Sequence, residues 1–222
     1  MLQEEHYEIR VLNESEIQLA VDWAAAEGWN PGLNDAAIFY NTDPQGFVAG
    51  FLEGKPIATI SAIRYGENFG FVGFYVVKPE FRGRGFGLRL WKAAMDRLEG
   101  RNIGLDGVVA QQENYKKSGF SLAYRNVRFI GKGYAGKRLS SSVVPLSQVP
   151  FGQVAHYDGK LFFTLRPEFL QPWIGQPTAR ALGYVKEGRL QGYGVIRQCG
   201  AGCKIGPLFA DNESIANALF LS

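Results

Sequence analysis

One segment constrains the fold of this chain more than any other. Residues 77–87 read VKPEFRGRGFG, a glycine-rich turn that lies between an apolar strand candidate and an amphipathic helix candidate. Glycines let backbone amides approach phosphate oxygens closely, and the free N–H groups and dipole of a helix N-terminus add partial positive charge. Arg82 and Arg84 would add full charges. The segment therefore predicts a strand, an anion-binding turn and a helix in that order.

Two familiar phosphate-binding patterns do not fit this turn. A Walker A sequence ends in Gly-Lys-Ser/Thr, and this one does not. A dinucleotide fingerprint needs a third glycine where Leu88 stands after Gly83 and Gly85. The turn therefore argues against a nucleoside triphosphate and against NAD as the ligand.

The flanking sequence predicts a mixed α/β unit. Asn13 and Glu16 have the spacing of a capping box, so a helix should begin there and end at Gly28. The other elements follow from periodicity and turn residues. They are strands at 7–11, 46–52, 56–64, 69–77, 103–110 and 122–130, and helices at 85–98 and 113–117. The three central strands form an antiparallel meander, so the prediction is an α/β (α+β) fold with a mixed, mostly antiparallel sheet flanked by helices.

Composition excludes several classes of protein. The 222 residues are 46% hydrophobic and 20% charged, with a formal net charge of +3, which is too small to indicate nucleic-acid binding. No apolar run approaches the roughly 20 residues of a membrane span, and the acidic N-terminus is unlike a signal peptide. We therefore expect a cytoplasmic protein with no membrane or nucleic-acid partner. Cys199 and Cys203 are too few for a disulfide framework or a structural zinc site, so no metal is expected.

The second half of the chain partly repeats the first. Residues 131–150 are rich in Gly, Ser, Pro and basic residues and are interpreted as a linker between domains at 1–130 and 151–222. The tripeptides 53–55 and 187–189 echo each other, and the apolar-x-Pro-x-Phe spacing of 77–81 recurs at 205–209. These echoes favour a duplicated fold.

The glycine-rich segment resembles the pyrophosphate-binding motif Arg/Gln-x-x-Gly-x-Gly/Ala of the GNAT N-acetyltransferase superfamily. The match is strengthened by Val77-x-Pro79 upstream and by residues 114–120, NYKKSGF, downstream. The resemblance covers about residues 5–130 and implies the acyl-CoA N-acyltransferase fold.

The resemblance also implies which residues form the site. The pantetheine arm of acetyl-coenzyme A would lie along Tyr75, Val76 and Val77. The pyrophosphate would be held by the turn, that is, by Arg82, Gly83, Arg84, Gly85, Phe86 and Gly87.

Two residues after the turn are implied to act near the cofactor sulfur. Tyr115 would protonate the leaving thiolate. Asn114 would either orient the cofactor or cap a helix.

The acceptor side is less clearly marked. Trp29 and Asn30 are the predicted substrate contacts, in a loop that could roof an acceptor cleft. A base or a water chain must deprotonate the amine, and the sequence does not identify it. Glu27, Asp35 and Glu67 lie in segments that border the cleft in relatives, although each is also typical of a solvated carboxylate.

Residues 151–222 resemble the C-terminal domain of one GNAT subgroup, itself a partial acetyltransferase-like fold. Residues 210–215, ADNESI, replace the arginine and glycines of the first domain with acids, so no cofactor is expected there. Relatives in this subgroup run beyond the equivalent of Ser222, so the second domain is either abbreviated here or truncated. The apolar ending ALFLS would leave a surface open to self-association as a homodimer.

These observations predict an acetyl-CoA-dependent N-acetyltransferase. The acceptor would be a primary amine of a small molecule or an amino-acid-like compound, attacking directly in a ternary complex. A protein or peptide amine is the enzymatic alternative. A non-catalytic acyl-CoA sensor is the alternative of a different class.

Overall fold

A computed structural model describes residues 5–133 and 140–222, which form two sheets covered by helices. The first sheet has the order β1-β2-β3-β4-β5, with strands Tyr7–Val11, Phe47–Leu52, Lys55–Tyr65, Phe69–Val77 and Asn102–Leu105. The second has the order β6-β7-β8-β9, with strands Val143–Pro145, Ala179–Lys186, Arg189–Gln198 and Cys203–Ala210. The α-helices α1–α7 are Ile17–Ala26, Asp35–Thr42, Phe86–Arg97, Gln112–Lys117, Phe151–Phe162, Pro167–Ile174 and Glu213–Phe220.

Antiparallel pairing dominates both sheets, which confirms the predicted fold class. In the first sheet β1 to β4 pair antiparallel, whereas β4 and β5 pair in parallel. The parallel pair exists because α3 crosses over between these two strands, as a parallel connection requires. Among the helices of the described residues, none combines the length and the apolar character that crossing a membrane requires.

The main core lies between the first sheet and α3. Leu90, Ala94 and Leu98 repeat at helical spacing and are fully buried against the sheet. Ile57 and Ile60, on β3, are equally buried. This packing fixes the N-terminus of α3 next to the end of β4.

Most predicted elements of the first half are confirmed, and two strands need correction. The strand predicted at 103–110 ends at Leu105. The strand predicted at 122–130 is absent from the described residues, where the segment is irregular and exposed, with Phe129 88% and Ile130 95% accessible. Alternating apolar residues favour a strand, but a strand also needs a neighbour with which to pair, and none of the described strands pairs with this segment.

The second half repeats part of the first. The β2–β3 turn contains Glu53 and Gly54 with φ of 47° and 73°, and the β7–β8 turn contains Glu187 and Gly188 with φ of 51° and 72°. Both turns are tight hairpin turns in the left-handed region. A helix follows β9, as α3 follows β4.

The apolar-x-Pro-x-Phe segments 77–81 and 205–209 do not occupy equivalent positions in the two halves. Pro79 follows β4, whereas Pro207 lies inside β9. The glycine-rich connection before α3 also has no counterpart of equal length, since two residues join β9 to α7.

The end of the predicted linker contributes to the second sheet. Residues Val143–Pro145 pair with β7, and Leu146 and Val149 are buried in the second core. The segment had no sustained apolar periodicity, because its strand is three residues long. Residues 134–139 of the predicted linker, which include Lys137 and Arg138, lie outside the described residues.

Helix α2 joins the two halves. Ile38 is buried in the core of the second half, and the Phe39 ring stacks 5.9 Å from Trp173. Phe39 also lies 5.3 Å from Phe74 of β4. The two sheets are therefore packed around a shared helix.

Candidate active site

The first sheet opens at the end of β4. Strands β4 and β5 pair from Phe69 to Val72, and beyond that point β5 ends at Leu105. The register between β3 and β4 shifts between Thr59 and Ser61, and the extra residue lies on β4, where Phe74 has a φ of 48°. Thr59 Oγ1 donates a hydrogen bond to the Phe74 carbonyl at 3.0 Å and holds the bulge. The edge of β4 that carries Tyr75, Val76 and Val77 is therefore not paired with β5.

The glycine-rich turn lies directly beyond this edge. Gly83 and Gly85 have φ of +74° and +84°, and a Cβ at either residue would have no atom within 4 Å. The turn is therefore open to solvent on the side where these Cβ atoms would lie. Gly85 is the N-cap residue of α3 and has no side chain with which to cap the helix. Backbone N–H groups of the first helical turn can therefore serve an anion.

Both arginines of the turn are held by carboxylates. Arg82 Nη2 lies 2.6 Å from Glu27 Oε1, and Arg82 Nε donates to the Val77 carbonyl at 2.8 Å. Arg84 Nη2 lies 2.7 Å from Glu5 Oε2. All four side chains are more than one third exposed, so these ion pairs are weak and can be exchanged for another anion.

The turn is fixed against β4 by close packing at Gly87. A Cβ there would lie 2.7 Å from Tyr75 Oη and 2.9 Å from Val77 Cγ2, so α3 approaches β4 as closely as glycine allows. Tyr7 Oη donates to the Phe86 carbonyl at 3.1 Å and ties β1 to the same turn. The predicted pantetheine and pyrophosphate residues are thus brought together.

Tyr115 lies on α4 and shares a ring neighbour with Tyr75 of β4. Its ring packs 5.7 Å from Trp91, which also lies 5.6 Å from the Tyr75 ring. A Cβ on Gly107 would lie 2.4 Å from the Tyr115 ring, so this glycine makes room for the phenol. Burial raises the pKa of Tyr115 and raises the pKa of Tyr75 to about 12. Both phenols therefore keep their protons at neutral pH and are donors.

Asn114 is the second sequence-predicted residue on α4. Its side-chain amide donates to Gln111 Oε1 at 2.7 Å, and it is exposed. The N-cap of α4 is Gln111, so the capping alternative for Asn114 is wrong.

The three candidate bases are separated by the fold. Glu27 contacts Arg82 beside the turn. Asp35 is 2% exposed and paired with Arg197. Glu67 lies in the β3–β4 turn, at the other end of the nine-residue strand β4 from the glycine-rich turn, about 25 Å away at 3.3 Å per residue. Of these three carboxylates, Glu27 is the one that lies beside the glycine-rich turn.

Trp29 and Asn30 follow α1, and their side chains contact different halves of the chain. The Trp29 ring lies 6.5 Å from Phe74 in an edge contact, while Asn30 contacts the second half of the chain. Sequence reasoning did not find Phe74, since a phenylalanine within a strand carries no signal of a bulge. It also missed the partners of Asn30, which are distant in sequence. In the described ranges, no group of three or more His, Cys, Asp or Glu side chains is placed to hold a metal ion.

Comparison with known proteins agrees with this geometry. Residues 10–120 match the acetyltransferase (GNAT) family, and residues 154–222 match an acetyltransferase (GNAT) domain. The chain therefore belongs to the GNAT superfamily of acyltransferases and has a second GNAT-like region, which confirms the resemblance read from the sequence.

Among its relatives, the chain is 32% identical over 205 residues to holothin acyltransferase of Pseudoalteromonas sp. (strain SANK 73390), covering 92% of this chain and 70% of that protein.

Solved structures show the same fold. A Pyrococcus horikoshii protein assigned as an acetyltransferase has a TM-score of 0.73 at 22% identity, over 97% of this chain and 75% of that one. A GCN5-related N-acetyltransferase from Kribbella flavida has a TM-score of 0.53 at 16% identity, over 98% of this chain and 60% of that one. At these identities the likeness concerns the fold, and it extends across both halves of the chain.

Proposed function

We propose that the protein is an N-acetyltransferase that moves the acetyl group of acetyl-coenzyme A to the primary amine of a small-molecule or amino-acid-like acceptor. The observation that carries this proposal is the open, uncapped turn at Gly83 and Gly85, which lies against the unpaired end of β4. Acetyl-coenzyme A supplies an activated thioester and a diphosphate. The chain supplies a place for each.

The turn would hold the diphosphate. Backbone N–H groups at the start of α3 would donate to its oxygens, and Arg82 and Arg84 would leave Glu27 and Glu5 for the more highly charged anion. The backbone of residues 75–77 would pair with the pantetheine amides as another strand would. These roles need glycine in the turn and an unpaired strand edge, and both are present.

Tyr115 would act as the proton donor for the departing thiolate. Its raised pKa keeps the phenol protonated, and the proposal is supported by its packing on Trp91, which also contacts Tyr75 of β4. A backbone N–H of β4 would polarise the acetyl carbonyl. The amine would attack directly, without an acyl-enzyme, so a base is needed for the amine proton alone.

The acceptor would enter beside Trp29 and Phe74. These rings form an aromatic wall next to the bulge of β4, which suits a compact acceptor with an apolar body. The relative that is a holothin acyltransferase supports a small-molecule acceptor for this chain too. A peptide amine would need an open groove here, and a coenzyme sensor would need no acceptor.

Titration calorimetry with acetyl-coenzyme A tests the site. We expect binding by the unmodified protein and a loss of at least about tenfold in affinity for Arg82→Ala and for Gly85→Asp, because each change removes or repels contacts to the diphosphate. Gly188→Asp is the matched control, since Gly188 has a φ of +72° and open space around it but lies in the β7–β8 turn, away from the glycine-rich turn. Binding that is absent, or equal in all four proteins, would contradict the proposal.

Turnover separates the enzyme from its alternatives. A thiol-release assay with small primary amines and N-terminal peptides should give turnover with a small amine. Turnover confined to peptides would favour the peptide acetyltransferase, and binding without any turnover would favour the sensor.

A further inference from the structure

The second half of the chain holds the loop that borders the acceptor opening. We propose that Lys204, on β9, is a positioning residue that fixes the acceptor loop, defined as residues 29–33, for use by the first half. The inference rests on the proposed function, because it assigns a role toward the acceptor. It concerns a residue that lies outside the predicted catalytic domain.

Lys204 makes a paired contact with the loop backbone. Its Nζ donates to the Trp29 carbonyl at 2.8 Å and to the Asn30 carbonyl at 2.8 Å. The two carbonyls belong to consecutive residues, so one ammonium group fixes the peptide between them. Charge-assisted hydrogen bonds are roughly twice as strong as neutral ones. Lys204 is therefore a charge-assisted contact that fixes the loop at Trp29 and Asn30.

Asn30 makes the loop follow the β8–β9 hairpin. Its side-chain amide donates to the Ala201 carbonyl at 2.9 Å, and the Ala201 N–H donates to Asn30 Oδ1 at 3.0 Å. Further along, Leu33 N donates to the Gln198 carbonyl at 3.1 Å. Asn30 has a φ of 49°, a conformation that asparagine tolerates better than most residues. The β8–β9 hairpin thus fixes the conformation of the loop through backbone and side-chain hydrogen bonds.

A buried ion pair anchors the far end of the loop. Arg197 Nε lies 3.0 Å from Asp35 Oδ1, and Gly32 N donates to Asp35 Oδ2 at 2.7 Å. A Cβ on Gly32 would lie 2.4 Å from Asp35 and 2.8 Å from Arg197, so the loop is pressed against this pair. The loop is therefore held at both ends by residues of the second half.

The other side of the loop faces the chemistry. The Trp29 ring touches Phe74, where β4 turns away from β5. Glu27, two residues before the loop, binds Arg82 of the glycine-rich turn. A movement of the loop would change the acceptor wall first. The proposed diphosphate contacts come from the turn itself, that is, from its backbone and from Arg82 and Arg84, and would be retained.

Hydrogen exchange and kinetics of Lys204→Met test the proposal. We expect amide exchange in residues 28–33 to rise about tenfold or more, since loss of a charge-assisted contact frees the loop to open locally. Exchange in β3 and α3 should be unchanged. The KM for the amine acceptor should rise about tenfold with little change in the affinity for acetyl-coenzyme A.

Two further variants make the result specific. Lys204→Arg retains a cation with several donors and should restore most of the protection and of the acceptor KM. Lys186→Met removes an exposed lysine from the same sheet and should change neither quantity.

Unchanged exchange in residues 28–33 of Lys204→Met would overturn the proposal, and so would faster exchange with an unaltered acceptor KM. An unmodified protein that binds acetyl-coenzyme A but acetylates no amine would overturn the proposed function and the acceptor role together. The exchange data would then still show whether Lys204 holds the loop.

Discussion

Tyr115 shows how much of a residue's chemistry is set by its neighbours. Its ring is sandwiched between Trp91 and the backbone at Gly107, and this burial raises its pKa. A phenol with a raised pKa is a weaker acid but remains protonated further into the basic range. The raised pKa weakens Tyr115 as an acid, so what it would offer a departing thiolate is a proton that is present throughout the working pH range.

Replacement of Tyr115 by phenylalanine tests this role, because it removes the hydroxyl group alone. We predict a fall in kcat of about a hundredfold, the usual size of a general-acid contribution, with unchanged affinity for acetyl-coenzyme A. Because the folded pKa is raised, the unmodified enzyme should keep its rate through the pH range near 10 where a free phenol loses its proton. Stopped-flow or steady-state thiol release from about pH 7 to pH 10 measures both effects.

Tyr184→Phe is a suitable control, since Tyr184 lies on β7 of the second sheet. A Tyr115→Phe protein with the kcat of the unmodified enzyme would remove Tyr115 from the mechanism.

At the scale of elements, the unit that matters is β4, the turn and α3. The bulge at Phe74 directs the end of β4 away from β5, and close packing at Gly87 holds α3 against that same end. Neither the bulge nor the close packing would form a site alone. Together they place an uncapped helix N-terminus beside an unpaired strand edge.

Gly87→Ala should loosen this unit. The added Cβ overlaps Tyr75 and Val77, so we predict a loss of about 1–2 kcal/mol in the free energy of unfolding and weaker coenzyme binding. Gly152→Ala is the matched control, because Gly152 is also the second residue of a helix and a Cβ added there would have no atom within 4 Å. That change should be neutral or stabilising by up to about 1 kcal/mol. Equal stability of the two variants by urea denaturation would contradict the role given to Gly87.

At the scale of the whole molecule, α2 and a buried ion pair make one structure of two GNAT-like halves. Phe39 packs between Phe74 of the first half and Trp173 of the second. Arg197 pairs with Asp35 across 162 positions of sequence, and its guanidinium also lies 4.3 Å from the centre of the Trp173 ring. The two halves are therefore joined by aromatic packing and by a buried charge pair.

Arg197→Met should destabilise the molecule strongly. It would leave Asp35 buried without its cation, and breaking such a pair from one side costs about 3–5 kcal/mol. The double variant Asp35→Asn with Arg197→Met removes the stranded charge and should recover part of the loss, since an asparagine still accepts from Gly32. Urea denaturation at neutral pH measures all three proteins. A loss below about 1 kcal/mol in the free energy of unfolding of Arg197→Met would show that the ion pair contributes little to the packing of the two halves.

Local patterns predicted the first half well because its elements are locally consistent. The strands at 7–11 and 69–77 were predicted with their observed bounds, and the helix at 85–98 is within one residue at each end. The strand prediction at 122–130 was wrong because an alternating pattern indicates a preference for extended backbone but does not supply a neighbouring strand. The assignments of coenzyme and acceptor residues stay predictions, supported by their placement around one opening.

By itself, the sequence determined the family, the fold class and the position of the glycine-rich turn. The motif, the turn glycines and the spacing of apolar residues are all local features, and residue types within a short segment specify them directly. The tertiary structure decided where β4 leaves its neighbour, which carboxylates hold the two arginines, and that Lys204 and Arg197 hold a loop more than 160 residues earlier. Those features arise from packing between distant segments, whose partners no local pattern specifies.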